Sequence, residues 1–167
     1  TIQKSSLFTP QMQAQLNSVF ERMAQPLVLK LYLDERPVSQ ELKNYIEELA
    51  SMTDKLTARV EEGTHDKETT PCVKLYRSDN SDTGLSFHGV PGGHEFTSFV
   101  LGIYNASGPG QELAEDIRAR IQAINKPVDI KILVTLSCSM CPDLVIAAQH
   151  MAAVNEGVTA EIYDVLH

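Results

Sequence analysis

Residues 128–143 read VDIKILVTLSCSMCPD, and this stretch decides the fold that the chain is expected to adopt. The apolar run 128–134 predicts a strand, and Pro142 indicates a helix start because proline suits the first helical position. Cys138 and Cys141 lie in the turn between strand and helix, with two residues between them. The unpaired N–H groups and the macrodipole of a helix N-terminus favour a thiolate, the form of cysteine that attacks a disulfide. The stretch therefore predicts dithiol–disulfide exchange.

Zinc binding and inert burial are the alternative interpretations of the two cysteines. A structural zinc ion takes roughly four N or S ligands, so a lone Cys-x-x-Cys is incomplete. The other possible ligands form no second spaced pair: Cys72, His65, His88, His94 and His150. The sequence therefore predicts no metal site. Cys72, which follows a proline in an apolar strand, is interpreted as a core residue.

Length and charge exclude several classes of function. The chain has 167 residues, a formal net charge of −8 and a pI near 5.0, so it offers no basic stripe for nucleic acid. No apolar run approaches the roughly 20 residues that span a bilayer, and residues 1–6 show no signal-peptide pattern. Three cysteines are too few for a disulfide-stapled secreted scaffold. We therefore expect a cytoplasmic protein that binds neither nucleic acid nor membrane.

The two halves of the sequence repeat one another when they are shifted by 101 positions. The shift aligns a helical stripe, a helix-ending proline and an apolar strand in one register: Met12 with Leu113, Leu16 with Ile117, Phe20 with Ile121, Met23 with Ile124, Pro26 with Pro127, and Lys30 with Lys131. It places Pro37 opposite Cys138 and Gln40 opposite Cys141, so the first copy lacks the thiols. The pattern indicates an internal duplication, with a boundary near the ASGPG sequence of residues 106–110.

The order of predicted elements gives the fold class. Residues 1–106 read as a leading helix, a βαβ unit, a hairpin and a closing helix, which is the thioredoxin plan. Thr9 is the expected cap of the leading helix, with Pro10 at its first position, and Ser39 is the expected cap of the second helix. Pro71 is the candidate for the cis-proline that precedes the third strand of such folds. Residues 107–167 supply only the first part of a second copy, and their strand at 158–163 is the last one expected. We therefore predict an α/β protein of two tandem thioredoxin-like folds, the first complete without a Cys-x-x-Cys, the second truncated and carrying it. Its incomplete second sheet leaves an open edge that favours self-association.

Two motifs give the chain a family resemblance. Residues 136–143, LSCSMCPD, and residues 93–98, GHEFTS, resemble the N-terminal domain of the F subunit of alkyl hydroperoxide reductase, and the duplicated layout is similar over essentially the whole chain. In that family the domain passes electrons from a C-terminal flavoprotein to a peroxiredoxin. The resemblance implies that Cys138 attacks the partner disulfide, that Cys141 resolves the mixed disulfide, and that Glu95 faces and tunes the dithiol.

The resemblance also implies what lies outside the chain. No Gly-x-Gly-x-x-Gly occurs in the sequence, so no cofactor is expected here, and FAD with NADH or NADPH is expected in a missing C-terminal part. The implied function is an electron-relay domain of a peroxide-detoxifying reductase, which is not catalytically complete on its own. A free-standing glutaredoxin-like protein disulfide oxidoreductase and a non-catalytic thioredoxin-like docking module are the alternatives.

Overall fold

The computed structural model describes residues 7–167, which form one mixed β-sheet with helices packed against it. The helices are α1 (Pro10–Arg22), α2 (Pro37–Ser51), α3 (Glu95–Ser107), α4 (Glu115–Gln122) and α5 (Cys141–Val154). The strands are β1 (Leu27–Tyr32), β2 (Leu56–Val60), β3 (Cys72–Arg77), β4 (Asp82–His88), β5 (Val128–Val134) and β6 (Val158–Asp164). The elements follow the predicted order of a βαβ unit, a hairpin and a closing helix, and a second βαβ unit comes after them.

The strands of the described residues lie in the order β2-β1-β3-β4-β6-β5. β1 pairs with β2 in parallel, whereas β3 pairs with both β1 and β4 in antiparallel fashion. β4 and β5 both pair with β6 in parallel, so β4, β5 and β6 end at the same edge of the sheet. Because β6 pairs with β4, the sheet continues across the expected boundary, and the division into 1–106 and 107–167 stays a prediction.

Alternation along the strands builds the core. Successive side chains of a strand point to opposite faces, and the apolar ones on one face are buried: Leu27, Leu29, Leu31, Val73, Leu75, Leu85, Phe87, Ala160 and Ile162. α3 and α5 pack against each other, and α5 also packs on β4 and β6. These contacts fix the second βαβ unit against the closing helix of the first.

The first two helices begin in different ways. Thr9 caps α1 as predicted, since its Oγ1 accepts a backbone N–H of the first turn at 3.2 Å and Pro10 is the first helical residue. The prediction that Ser39 caps α2 is wrong, because α2 already begins at Pro37, where proline suits the first position. Ser39 is instead buried, and its Oγ donates to Asp34 Oδ1 at 2.7 Å.

The spacing of corresponding elements in the two halves departs in places from the 101-position shift found in the sequence. β1 and β5 start 101 positions apart, but α2 and α5 start 104 positions apart because the turn before α5 is longer. Pro37 therefore corresponds in position to Cys141 and not to Cys138. α4 covers only part of the aligned stripe, with Ile121 buried and Ile117 exposed. The stripe is thus not a continuous core face in the second half.

β5 forms one end of the sheet in the part of the chain that the structure describes. It pairs with β6 from Val128 to Val134, and within residues 7–167 its other side has no strand partner. Leu133 on this strand is 69% exposed. An open edge is therefore present, and self-association through it stays a prediction. Across the same residues, no helix has the length and apolar character needed to cross a membrane.

Candidate redox site

Cys138 and Cys141 form a disulfide at the start of α5. Their Cα atoms are 5.6 Å apart. Cys141 is the first residue of the helix, one position before the predicted start at Pro142. Cys138 lies in the preceding turn, where its N–H donates to Thr135 O at 3.0 Å. Both cysteines are partly exposed, and Cys141 packs against the core. Cys141 therefore has core contacts behind it, and the assignment of Cys138 as the attacking sulfur stays a prediction.

The site lies at the edge of the sheet where three parallel strands end. Val134 and Asp164 are partners at the ends of β5 and β6, and beyond them the Val165 N–H donates to Val134 O at 3.0 Å. The carboxyl ends of parallel strands are the usual place for a site in an α/β sheet. The turn that carries the disulfide is thus anchored by the two strands of the second βαβ unit.

A segment from the first half of the chain also supports this turn. His94 N–H donates to Leu136 O at 2.9 Å, and Leu136 lies two residues before Cys138. Gly93 has φ +53°, and a Cβ on it would come within 2.7 Å of the same carbonyl oxygen. Only glycine fits this left-handed position and close approach without strain. The two motifs on which the family resemblance rests therefore touch in space.

Glu95 follows that contact directly, as the first residue of α3. Its side chain is fully buried, Ser98 Oγ donates to its Oε2, and its Oε1 has no hydrogen-bond partner. Burial raises the pKa of Glu95, because removal from water disfavours the charged carboxylate. The structure thus places a buried carboxyl one residue beyond the point where the first half meets the dithiol turn. Its role as a tuning residue stays a prediction.

Sequence reasoning did not single out the exposed apolar residues beside the disulfide. Met140, between the two cysteines, is 79% exposed, and Leu144, in the first turn of α5, is 60% exposed. Val165 and Leu166, directly after β6, are also exposed. The signal in the sequence was the apolar type of Met140 and Leu144 at positions next to a reactive cysteine. Met140 and Leu144 therefore add exposed apolar surface to the segment that carries the disulfide.

Pro71 belongs to a separate cluster at the turn between β1 and α2. The Thr70–Pro71 peptide bond is cis. The Arg36 guanidinium donates to Thr70 O and to the Asp34 carboxylate, and it holds the pKa of Asp34 well below its usual range. This turn occupies in the first half the place that the dithiol turn occupies in the second. It holds an ion pair where the second half holds the disulfide.

Cys72 is buried and reduced, in contrast to the other two cysteines. Its Sγ lies 3.8 Å from His88 Nε2, and His88 Nδ1 donates to Thr69 O at 2.6 Å. Burial raises the pKa of the Cys72 thiol to about 12, so it stays protonated at neutral pH. Cys72 is a core thiol, as the sequence indicated. Within the described residues, no group of three or more His, Cys, Asp or Glu side chains could hold a metal ion.

Comparison with known proteins identifies the family. No family model matches the chain. The crystal structure of the NTD_N/C domain of the F subunit of alkyl hydroperoxide reductase, determined for the Enterococcus faecalis protein, matches with a TM-score of 0.87 and 34% identity, over 95% of this chain and 81% of that one. The chain belongs to this family of N-terminal domains. A second structure, of a mutant form of the F subunit of the same organism, matches with a TM-score of 0.88 and 33% identity, over 95% of this chain and 80% of that one.

Longer relatives agree with this assignment. The chain is 34% identical, over 93% of its length, to a protein named NADH dehydrogenase from Ferdinandcohnia aciditolerans. It is 32% identical, over 88% of its length, to the alkyl hydroperoxide reductase F subunit of Pseudomonas aeruginosa. It spans only 29% and 27% of these relatives. A protein disulfide oxidoreductase from Aeropyrum pernix, at 17% identity and a TM-score of 0.76, shares the fold. The predicted α/β thioredoxin-like fold and the redox character of the domain are confirmed.

Proposed function

We propose that this N-terminal domain is a dithiol–disulfide electron relay. The observation that carries the proposal is the Cys138–Cys141 disulfide, which lies partly exposed at the start of α5, with the exposed Met140 between its two cysteines. A disulfide in such a place can be opened by one thiol-bearing partner and closed again on another. Buried structural disulfides do not offer their sulfur atoms in this way.

The two sulfur atoms take different parts in the exchange. After reduction, the Cys138 thiolate attacks the partner disulfide, which forms a mixed disulfide and releases one partner thiolate. Cys141 Sγ then loses its proton and attacks Cys138 Sγ, which closes the domain disulfide and releases the second partner thiolate. Each cycle transfers two electrons to the partner. The packing of Cys141 against the core supports this order, because those contacts hold the resolving cysteine in place.

The donor and the acceptor are also part of the proposal. We infer that the acceptor is a peroxiredoxin and that the donor is a flavoprotein domain that uses FAD and NADH or NADPH, in a cytoplasmic peroxide-detoxifying system. The names of the relatives and the 27–29% of their length that the chain spans support this inference. The only redox centre among the described residues is the disulfide, and the sequence has no Gly-x-Gly-x-x-Gly for a dinucleotide.

A trapping experiment tests the proposal. Cys141→Ser removes the resolving thiol, so the mixed disulfide through Cys138 should accumulate when reduced domain meets oxidised peroxiredoxin, and non-reducing electrophoresis should detect it. Cys72→Ser is the matched control, because it removes the remaining thiol and should leave exchange unchanged. Absence of the adduct with Cys141→Ser, or an adduct through Cys72, would contradict the assignment.

A further inference from the structure

Cys72 and His88 form a buried pair across two neighbouring strands. They are register partners of β3 and β4, and each is more than nine-tenths buried. Successive side chains of a strand alternate between its faces, so both lie on the sheet face opposite to the one that carries Leu75 and Phe87. Cys72 Sγ is 3.8 Å from His88 Nε2, and Ser86 Oγ is 3.3 Å from the same nitrogen. A sulfur atom and an imidazole nitrogen therefore meet at a place that the proposed relay does not use.

The imidazole of His88 is held in the form that a metal ion requires. Its Nδ1 is 2.6 Å from Thr69 O, and because a carbonyl oxygen only accepts hydrogen bonds, Nδ1 carries the proton. Burial lowers the pKa of His88, so the ring is uncharged at neutral pH and Nε2 keeps its lone pair. The ring also stacks on Tyr163, with the centroids 4.0 Å apart and an angle of 7° between the planes. Histidines that bind metal ions usually donate their other ring N–H to a carbonyl or carboxylate oxygen in this way.

The separation of the sulfur and nitrogen atoms fits one shared ion. The bonds that zinc makes serve as a guide, and they measure about 2.3 Å to sulfur and about 2.0–2.1 Å to imidazole nitrogen. With bonds of about these lengths, the 3.8 Å between Cys72 Sγ and His88 Nε2 leaves an angle of about 120° at the ion. That angle suits a trigonal site, and Ser86 Oγ is close enough to act as a weak third ligand. The ion therefore fits without movement of either strand.

The charge of the pair selects the kind of ion. Thiolate sulfur and imidazole nitrogen favour soft ions such as Cu(I). When a monovalent ion binds, the S–H bond of the thiol breaks, the proton passes to water and the ion takes its place, so the buried site stays neutral. A divalent ion would leave an uncompensated positive charge in a place removed from water, which is costly. Zinc would also lack ligands, since it takes about four and the described residues offer no group of three or more such side chains.

A cavity of about 270 Å³ lies beside the pair, and both Cys72 and His88 line it. The other charged or titratable groups in its wall come from β3, from β6 and from the segment before β3: Lys74, Glu161, His65 and Asp66. Two carboxylates stand against one ammonium group, so a small cation meets no excess of positive charge there. The cavity therefore gives an ion a way to the sulfur atom.

We propose that Cys72 and His88 form a binding site for a soft monovalent cation of the Cu(I) class. Cys72 binds the ion as a thiolate, and His88 binds it through Nε2. The site does not depend on the proposed relay, because the Cys138–Cys141 disulfide takes no part in it. Of the three cysteines in the chain, Cys72 is the one that is free when this disulfide is closed. The oxidised protein therefore separates the site from the dithiol, whose own thiolates would bind such ions.

Calorimetric titration of the oxidised 167-residue chain with Ag(I) in halide-free buffer tests the site, since Ag(I) shares the charge and softness of Cu(I) and leaves the disulfide intact. We expect each chain to bind one ion tightly and to release one proton, and Cys72→Ser should abolish this binding. Loss of an outer-shell partner costs about 10–100-fold in metal affinity, so His88→Gln, which removes a ligand, should weaken binding by at least about 10²-fold.

His65→Gln is the matched control, because the His65 ring lines the same cavity but packs edge-on against Tyr32. This variant should bind Ag(I) as tightly as the unmodified chain does. Failure of the unmodified chain to bind Ag(I), or equal affinity in His88→Gln, would overturn the proposal. Zn²⁺ should bind far more weakly than Ag(I), and equal affinity for the two ions would refute the argument from charge.

Nitrogen NMR of the unmodified chain, with isotope-labelled histidine, keeps the test independent of variants that fail to fold. The Nε2 resonance of His88 should shift when one equivalent of Ag(I) is added, because that atom becomes a ligand. The Nδ1 resonance should change little, since Nδ1 keeps its proton and its hydrogen bond to Thr69 O. An Nε2 resonance that does not move at full occupancy would show that the thiol binds the ion without His88, and the proposed site would be wrong.

Discussion

Replacement of Gly93 by alanine should separate the two halves of the site. Gly93 has φ +53°, and a Cβ would lie 2.7 Å from Leu136 O and 3.0 Å from Leu136 Cβ. The carbonyl cannot turn aside without loss of its hydrogen bond from His94 N–H. The left-handed conformation costs an alanine roughly 1–2 kcal/mol, and overpacking costs about 1–3 kcal/mol. We therefore expect Gly93→Ala to lower the free energy of unfolding by about 2–5 kcal/mol.

Urea-induced unfolding measures this loss, provided that the free energy depends on urea concentration with the same slope in each variant. Gly92→Ala is the control. A Cβ on Gly92 would meet nothing within 4 Å, so that neighbouring variant should change the free energy of unfolding by less than about 1 kcal/mol. Because Leu136 leads into the dithiol turn, Gly93→Ala should also change the alkylation rate of Cys138 in the reduced protein. Equal stabilities and equal alkylation rates for the two variants would refute the claim that the first half supports the turn.

Three further predictions concern other parts of the chain. Burial lowers the pKa of His88, so the unfolded chain binds a proton at this residue more readily than the folded chain does. The free energy of unfolding, measured in urea, should therefore fall as pH drops below about 6.5. An equal fall in His88→Gln would contradict this. Ile132 on β5 is buried, so Ile132→Ala should lower the free energy of unfolding by about 2–5 kcal/mol. Leu133 is exposed, so Leu133→Lys should change it by less than about 0.5 kcal/mol. Similar shifts of the melting temperature for both variants would show that the assignment of buried and exposed faces of β5 is wrong. The Cys72 thiol should resist iodoacetamide in the folded protein, and rapid labelling detected by mass spectrometry would show that it is not buried.

Local rules were sufficient for several elements of the fold. Proline at the first helical position and a preceding threonine predicted the start of α1, and the apolar run of residues 128–134 predicted β5. The same rules failed at α2, because Ser39 and Pro37 both suit a helix start and the helix begins at Pro37. The freed hydroxyl of Ser39 then bonded to Asp34, a contact that no local pattern specifies.

The features that complete the candidate site are long-range and could not be read from periodicity. β6 pairs with β4, although the two strands are about seventy residues apart in the sequence. This pairing places the disulfide turn at the same end of the sheet as the start of α3. The contact of Gly93 with Leu136 likewise joins segments that lie far apart in the sequence. The sequence offered Cys138 and Cys141 through their spacing, but the burial of Glu95 beside Ser98 arises only once α3 packs on α5.

A count of thiols after a single mixing step tests the relay most directly. The domain would be reduced, freed of reductant and mixed with an excess of oxidised peroxiredoxin, and both proteins would then be alkylated and weighed by mass spectrometry. We predict that Cys138 and Cys141 become a disulfide while each domain molecule leaves two new thiols on the peroxiredoxin. A domain that keeps both thiols reduced, with no thiols gained by the partner, would contradict the relay.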